Sequence, residues 1–112
     1  MTPHPLDRPV WSALTTRQAA LALGDARALR FDPAYGLFAA SADRSGDGIA
    51  ALAGGPIGLI EPDLPSLPPG LTLVSSALCH QMLAETIVAR EPEVAIVPLG
   101  DADAPDMRAL AA

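Results

Sequence analysis

The stretch His4-Pro-Leu-Asp7-Arg-Pro9-Val-Trp11-Ser-Ala-Leu14 reads as the entry to a helix. Asp7 suits an N-cap, because a short carboxylate can accept from the free amides of a first turn. Leu6 just ahead of it can staple onto Trp11. Pro9 falls in the first turn, where a missing N–H is harmless. Val10, Trp11 and Leu14 share one face. Thr15 and Gln18 have capping-box spacing, so the helix can restart at Thr16 and run through Ala19, Ala20 and Leu23 to a stop at Gly24. The pattern predicts a helix over 8–23, with a break allowed at Thr15-Thr16.

Beyond Gly24 the elements shorten. Ala28–Phe31 is apolar apart from Arg30, and Asp32-Pro33 breaks it, since the residue before proline avoids the helical region. Four segments read as the strands of a sheet: Tyr35–Ser41, Ile57–Ile60, Leu71–Ser75 and Val94–Leu99. Ile49–Ala53 reads as a short helix or a strand, and Asp47 as a cap with Gly54-Gly55 as a stop favours the helix. Glu61–Gly70 holds Pro62, Pro65, Pro68 and Pro69 and reads as a stiff extended loop. The expected fold class is α/β, a mixed short-stranded sheet with packed helices.

The 112 residues are one domain's worth of chain. Hydrophobic residues make up 50% and charged residues 18%, which predicts a folded rather than a disordered chain. The net charge is −6 and no basic run exists, which argues against duplex nucleic acid and anionic membranes as partners. The lone Cys79 allows no internal disulfide, and no cationic segment precedes an apolar run at the N-terminus, so the expected location is the cytoplasm.

The C-terminal segment has a full set of helix-start signals. Asp103 is placed to cap, Pro105 lies in the first turn, and Asp106 suits the positive end of the helix dipole. Met107, Leu110 and Ala111 form an apolar stripe that runs to Ala112 without a stop signal, which creates the expectation of a native protein that continues. The same stripe is the expected contact surface for a further part of the protein or a homodimer partner.

Candidate chemistry is sparse. Cys79-His80 and the distant His4 lack metal-ligand spacing, and a buried Cys beside a partly exposed His is the simpler expectation. Asp101, Asp103 and Asp106 could supply oxygen ligands to a divalent cation, but helix capping uses the same carboxylates, so no metal is expected. Arg44-Ser-Gly46-Asp47-Gly48 has the look of a phosphate loop, yet Asp43 and Asp47 would repel an anion, and a turn is the simpler reading. Trp11, Phe31, Tyr35 and Phe38 are expected in the core. Ser75-Ser76 and Thr15-Thr16 have no neighbouring base, and no nucleophile motif is present. No catalytic or cofactor-binding residue can be assigned.

The opening at 4–14, followed by Phe38-Ala39-Ala40, Gln81-Met82 and the Asp103-Ala104…Met107…Leu110 helix, resembles in that order the N-terminal region of bacterial proteins of the GNAT N-acetyltransferase superfamily. The resemblance implies an N-terminal region of about this length followed by a catalytic domain. Residues 1–92 would be an N-terminal α/β domain carrying the proline-rich loop 61–70. Residues 93–112 would be the first strand and helix of the catalytic domain. It also implies acetyl-CoA as co-substrate and acetyl transfer to an amine by direct attack. The Arg/Gln-x-x-Gly-x-Gly/Ala turn that holds the CoA pyrophosphate in the family is absent here: Arg44-x-Gly46-x-Gly48 is one residue short and lies in another region. The chain alone is therefore expected to be inactive. A non-catalytic binding or dimerisation module is the alternative.

Overall fold

Pro9 decides how the helix begins. It holds Arg8 out of the helical region, at φ −138° and ψ 75°. The first helix, α1, therefore covers Pro9–Thr15 with Arg8 at its N-cap. Asp7 is thereby cut off from it and does not cap it. It belongs to a preceding 3-10 turn, Pro5–Asp7, where its Oδ2 accepts from the His4 N–H at 2.9 Å and His4 Nδ1 accepts from the Leu6 N–H at 3.1 Å. The computed structural model describes residues 3–112. They fall into two compact units, one reaching to Ala77 and the other Leu78–Ala112.

α1 ends sooner than the sequence predicts. The Thr15 hydroxyl donates to the Trp11 carbonyl at 2.8 Å and that of Thr16 to the Ser12 carbonyl at 2.5 Å. Both side chains fold back on the last turn instead of opening a new helix. Only a single 3-10 turn follows, Ala19–Leu21, and the chain then becomes strand β1, Ala22–Gly24. Pairing with a neighbouring strand has outweighed the helix preference of this Ala/Leu run.

Three antiparallel strands form the sheet, in the order β1–β2–β3, with β2 at Ala28–Phe31 and β3 at Ala39–Ser41. Ala22 faces Phe31 across the first ladder, and Leu29 faces Ala40 across the second. Gly24, at φ +125°, turns the β1–β2 hairpin, a conformation glycine adopts without penalty. The Asp25 carboxylate gathers the Arg27 and Ala28 amides, as short acidic side chains do in turns. Asp32 does the same after β2: its carbonyl accepts from Tyr35 and Gly36, and its Oδ1 from Ala34. That turn takes Tyr35 out of the predicted strand 35–41, of which only Ala39–Ser41 remains.

Side-chain alternation gives the sheet two covered faces. Val10 and Leu14 of α1 lie with Ala40, Leu29 and Phe31 on one. On the other, Ile49 lies with Ala28 and Ala39, joined by Leu52, Ile57, Leu59 and Leu71. Ile49 belongs to helix α2, Asp47–Ala50, so the segment is helical but ends three residues before the expected Ala53, and Gly46 rather than Asp47 is its N-cap. A Cβ on Gly48 would stand 2.8 Å from the Ala28 Cβ. Glycine therefore lets α2 approach the strand this closely, where a larger residue would overpack.

The remaining predicted strands are not formed. Ile57–Ile60 contributes one parallel bridge, Gly58 to Phe38. Leu71 closes a turn onto the Pro68 carbonyl, and Leu73 and Val74 beyond it are exposed. Val94–Leu99 has no ladder among the described residues, and its apolar side chains stand in solvent. An extended segment without a neighbouring strand leaves its backbone groups unpaired. In the second unit a 3-10 turn, Asp101–Asp103, leads into helix α3, Ala104–Ala111. Asp103 sits at the predicted N-cap position, but its carboxylate turns back to accept from the Gly100 N–H at 2.9 Å.

The hairpin glycine provides a direct check. A Cβ at Gly24 would run into the Ala28 carbonyl oxygen as well as force a side chain to positive φ. Gly24→Ala is expected to cost about 2 kcal/mol or more in denaturant unfolding. A cost within about 0.5 kcal/mol, typical of an exposed turn, would contradict this hairpin geometry.

Candidate functional site

Two arginines of the first unit are withdrawn from solvent, and they are used differently. Arg8 leaves the 3-10 turn toward the end of β3. Its Nε donates to Glu61 Oε2 at 2.9 Å and its Nη2 to Glu61 Oε1 at 2.7 Å. This is the parallel fork of a bidentate pair. Nη2 also donates to the Ser41 carbonyl at 2.5 Å, and Nη1 reaches the Ala42 carbonyl at 3.4 Å. The guanidinium lies 5.6 Å from the Trp11 ring centroid, within cation–π range. The Arg8 and Glu61 side chains are 13% and 6% exposed. Arg8 also borders an open concavity of about 450 Å³ lined by His4, Asp7, Trp11, Ser12 and Arg44 among others.

Arg30 projects from β2 toward α2. Its Nε donates to the Phe31 carbonyl and its Nη1 to the Leu52 carbonyl, each at 3.1 Å. It is 8% exposed and forms no ion pair among the described residues. A second open concavity, of about 540 Å³, is lined by Arg30, Tyr35, Leu37, Gly54, Gly55 and Pro56 among others. Sequence position alone does not single out Arg8 or Arg30 as a site residue. The available signal is a charged residue inside an otherwise apolar run at 28–31.

The glycine-containing turn at 43–48 is not a phosphate cradle. A Cβ on Gly46 would meet Pro68 Cδ at 2.7 Å and the Ser66 carbonyl oxygen at 2.8 Å, so the space beside it is already filled by the chain. The Gly46 N–H donates to that same carbonyl, and the Ser45 N–H to Asp43 Oδ1 at 2.9 Å. Both amides that would face an anion are therefore engaged, and these residues do not fit a CoA pyrophosphate. The Ser45 hydroxyl donates to Asp43 Oδ1 at 2.7 Å. Together with the Ser45 amide it holds the Asp43 carboxyl below the usual carboxylate range, because both bonds favour the charged form. Arg44 takes the left-handed conformation, at φ 65°.

Other candidates are scattered. Cys79 and His80 are both exposed, so the expectation of a buried cysteine is corrected: every residue of 72–102 is exposed. His4 shapes the first concavity, far along the chain from His80. Among the described residues no three His, Cys, Asp or Glu side chains gather as a metal site. Trp11 and Phe31 join the core as expected, whereas Tyr35 is drawn out by the Asp32 turn and is 68% exposed, and Phe38 lies at the surface. Met107 and Leu110 are exposed on α3. Among the described residues no helix is long and apolar enough to cross a membrane.

A three-stranded antiparallel sheet flanked by short helices defines a mixed α/β fragment, as the sequence predicts. The crystal structure of a candidate acetyltransferase from the GNAT family of Novosphingobium aromaticivorans is similar to it, with a TM-score of 0.81 and 38% sequence identity over 97% of this chain. The chain is similar to this GNAT-family protein over nearly its whole length. It spans half the length of that relative. No family model and no curated protein matches the sequence.

Two measurements test this geometry. Arg8→Met strands a buried carboxylate and is expected to destabilise by about 3–5 kcal/mol, while Arg8→Met with Glu61→Leu recovers most of the loss. Additive losses in that double-mutant cycle would show that the pair does not couple. For Asp43 the folded carboxyl titrates below its ordinary value. Such a group contributes stability that is present above the unfolded pKa and lost as pH falls through the folded one. Ser45→Ala is expected to raise the Asp43 titration midpoint, read by carboxyl-carbon NMR; an unmoved midpoint would contradict the hydroxyl as the main cause.

Proposed function

We propose that this chain is the N-terminal half of an acetyl-CoA-dependent N-acetyltransferase of the cytoplasm. In such a protein the acetyl group passes from the thioester sulfur to an amine nitrogen, with release of the CoA thiol. The reading rests on one observation: 38% identity over 97% of this chain to a GNAT-family protein of which the chain spans 50%. No step of the transfer is assigned to a residue here, because the turn at 43–48 does not fit the pyrophosphate. The pyrophosphate loop and the proton acceptor for the amine belong to the other half, and the 112-residue chain alone is inactive.

Within this proposal residues 1–92 form the N-terminal α/β domain, and residues 93–112 are the first strand and helix of the catalytic domain. Val94, Ile96, Val97 and Leu99 are exposed, as are Met107 and Leu110. β-branched residues at 94–97 gain their strand preference from packing and ladder pairing with a neighbour. The catalytic half is the proposed neighbour, and Met107, Leu110 and Ala111 are the proposed contact.

The intact mass of the native product, combined with a thiol-release assay, tests this. A product that exceeds 11.5 kDa by a further domain of about 100 residues or more is expected to release CoA from acetyl-CoA when given an amine. The isolated 112-residue chain is expected to release none. A native product of 11.5 kDa, or thiol release by the isolated chain, would overturn the proposal. Self-association of such a short product through Leu110, abolished by Leu110→Asp, would instead support the dimerisation module.

A further inference from the structure

The Arg30 guanidinium has donors to spare. A guanidinium carries five N–H groups. One Nε–H and one Nη1–H are used on the carbonyls of Phe31 and Leu52, which leaves three, including both on Nη2. Both of these acceptors are backbone carbonyls, and no ion pair of the described residues involves Arg30. No fully buried side-chain nitrogen among those residues lacks a partner, so Nη2 is not sealed off from solvent. Arg30 lines the open concavity that it shares with Tyr35, Leu37, Gly54, Gly55 and Pro56. Arg30 is more than nine-tenths buried, with two neutral carbonyls for partners and no carboxylate in ion-pair range. A cation so placed carries uncompensated charge. The chain is acidic overall, with thirteen Asp and Glu against seven basic residues, yet none of the described acids is placed against Arg30.

From this geometry we infer that the concavity beside Arg30 binds the carboxylate of a small organic acid, with the exposed Tyr35 ring and Leu37 covering its apolar part. A planar guanidinium edge matches a carboxylate as a two-pronged pair. A phosphate dianion fits less well. Phosphate sites gather several donors or a helix N-terminus. This one has a single cation beside two carbonyl oxygens, at Phe31 and Leu52, that oppose a second negative charge. Gly54 and Gly55 leave the rim open, since a Cβ on either meets nothing within 4 Å. The inference concerns ligand binding by residues of the first unit and does not depend on the acetyl-transfer proposal.

Titration of the 112-residue chain with hexanoate, followed by amide and Arg Nε–H NMR at constant ionic strength, tests it. The Arg30 Nε–H and the Gly54 and Gly55 amides are expected to shift saturably. Hexanol and inorganic phosphate are expected to bind at least roughly tenfold more weakly. Arg30→Gln is expected to abolish the shifts. Because that variant removes a tie between β2 and the end of α2 and can unfold the chain, Gly55→Asp is the second variant. It adds a carboxylate at an open rim position and is expected to weaken hexanoate by roughly tenfold with an unchanged fold. Absence of a saturable shift with hexanoate overturns the inference. So does phosphate or hexanol binding as tightly as hexanoate, or a Gly55→Asp chain that binds hexanoate unchanged.

Discussion

The bidentate pair between Arg8 and Glu61 joins three parts of the first unit. Arg8 sits at the break before α1, its extra donors reach the end of β3, and Glu61 opens the proline-rich loop. Two charges taken out of water stabilise a fold only when their remaining hydrogen-bonding capacity is met. Here the spare Arg8 donors meet the Ser41 and Ala42 carbonyls, and the Trp11 ring lies against the cation. A lysine could not replace this fork, because it has no second prong for the carboxylate. The pair thus directs where Glu61 must lie, and Pro62 just after it stiffens the departure of the loop.

Dependence on a polar tie follows from the size of the core. Among the described residues the buried apolar ones are Val10, Leu14, Ala28, Ala39, Ala40 and Ile49. Three of the six are alanine, and an alanine side chain contributes little area at about 25 cal/mol per Å². Small residues do bring the layers close: Ala28 against Gly48 lets α2 sit directly on the sheet. Close approach then brings backbone carbonyls within reach of long side chains. Arg30 meets Leu52, and the buried Ser41 hydroxyl donates to the Ser45 carbonyl at 2.5 Å. Specificity in this unit comes from side chains tying backbone groups as much as from apolar volume.

Local chemistry is legible in the sequence, and pairing is not. Pro9 marks the first turn of α1 because its effect is confined to its neighbours. Gly24 is legible as a residue needing unusual backbone freedom, although it serves a hairpin and not a helix end. The run Ala19–Leu23 reads wrongly as helix because its helix preference is intrinsic, whereas its strand partner lies at Leu29–Phe31. Asp32-Pro33 is legible as a break, but its capture of the Tyr35 amide, which ejects the aromatic from the core, requires the folded turn. The two arginine sites are hidden for the same reason: their acceptors lie 22 and 53 residues away.

A strand pattern is a conditional statement, and Val94–Leu99 shows the condition. Alternating branched side chains favour an extended backbone only when a neighbour pairs the N–H and C=O groups and covers a face. In the first unit the modest β-formers Ala22–Gly24 become strand because β2 is beside them. In the second, far stronger β-formers remain irregular and exposed. The contrast runs opposite to propensity, so propensity is not what separates the two segments. What separates them is the presence of a paired strand: β2 lies beside Ala22–Gly24, and among the described residues no strand pairs with 94–99. Under the proposal that a catalytic half completes the protein, the exposed apolar residues at 94–99 and on α3 are the surface proposed for it, and the strand pattern at 94–99 is the pattern such a neighbour would pair.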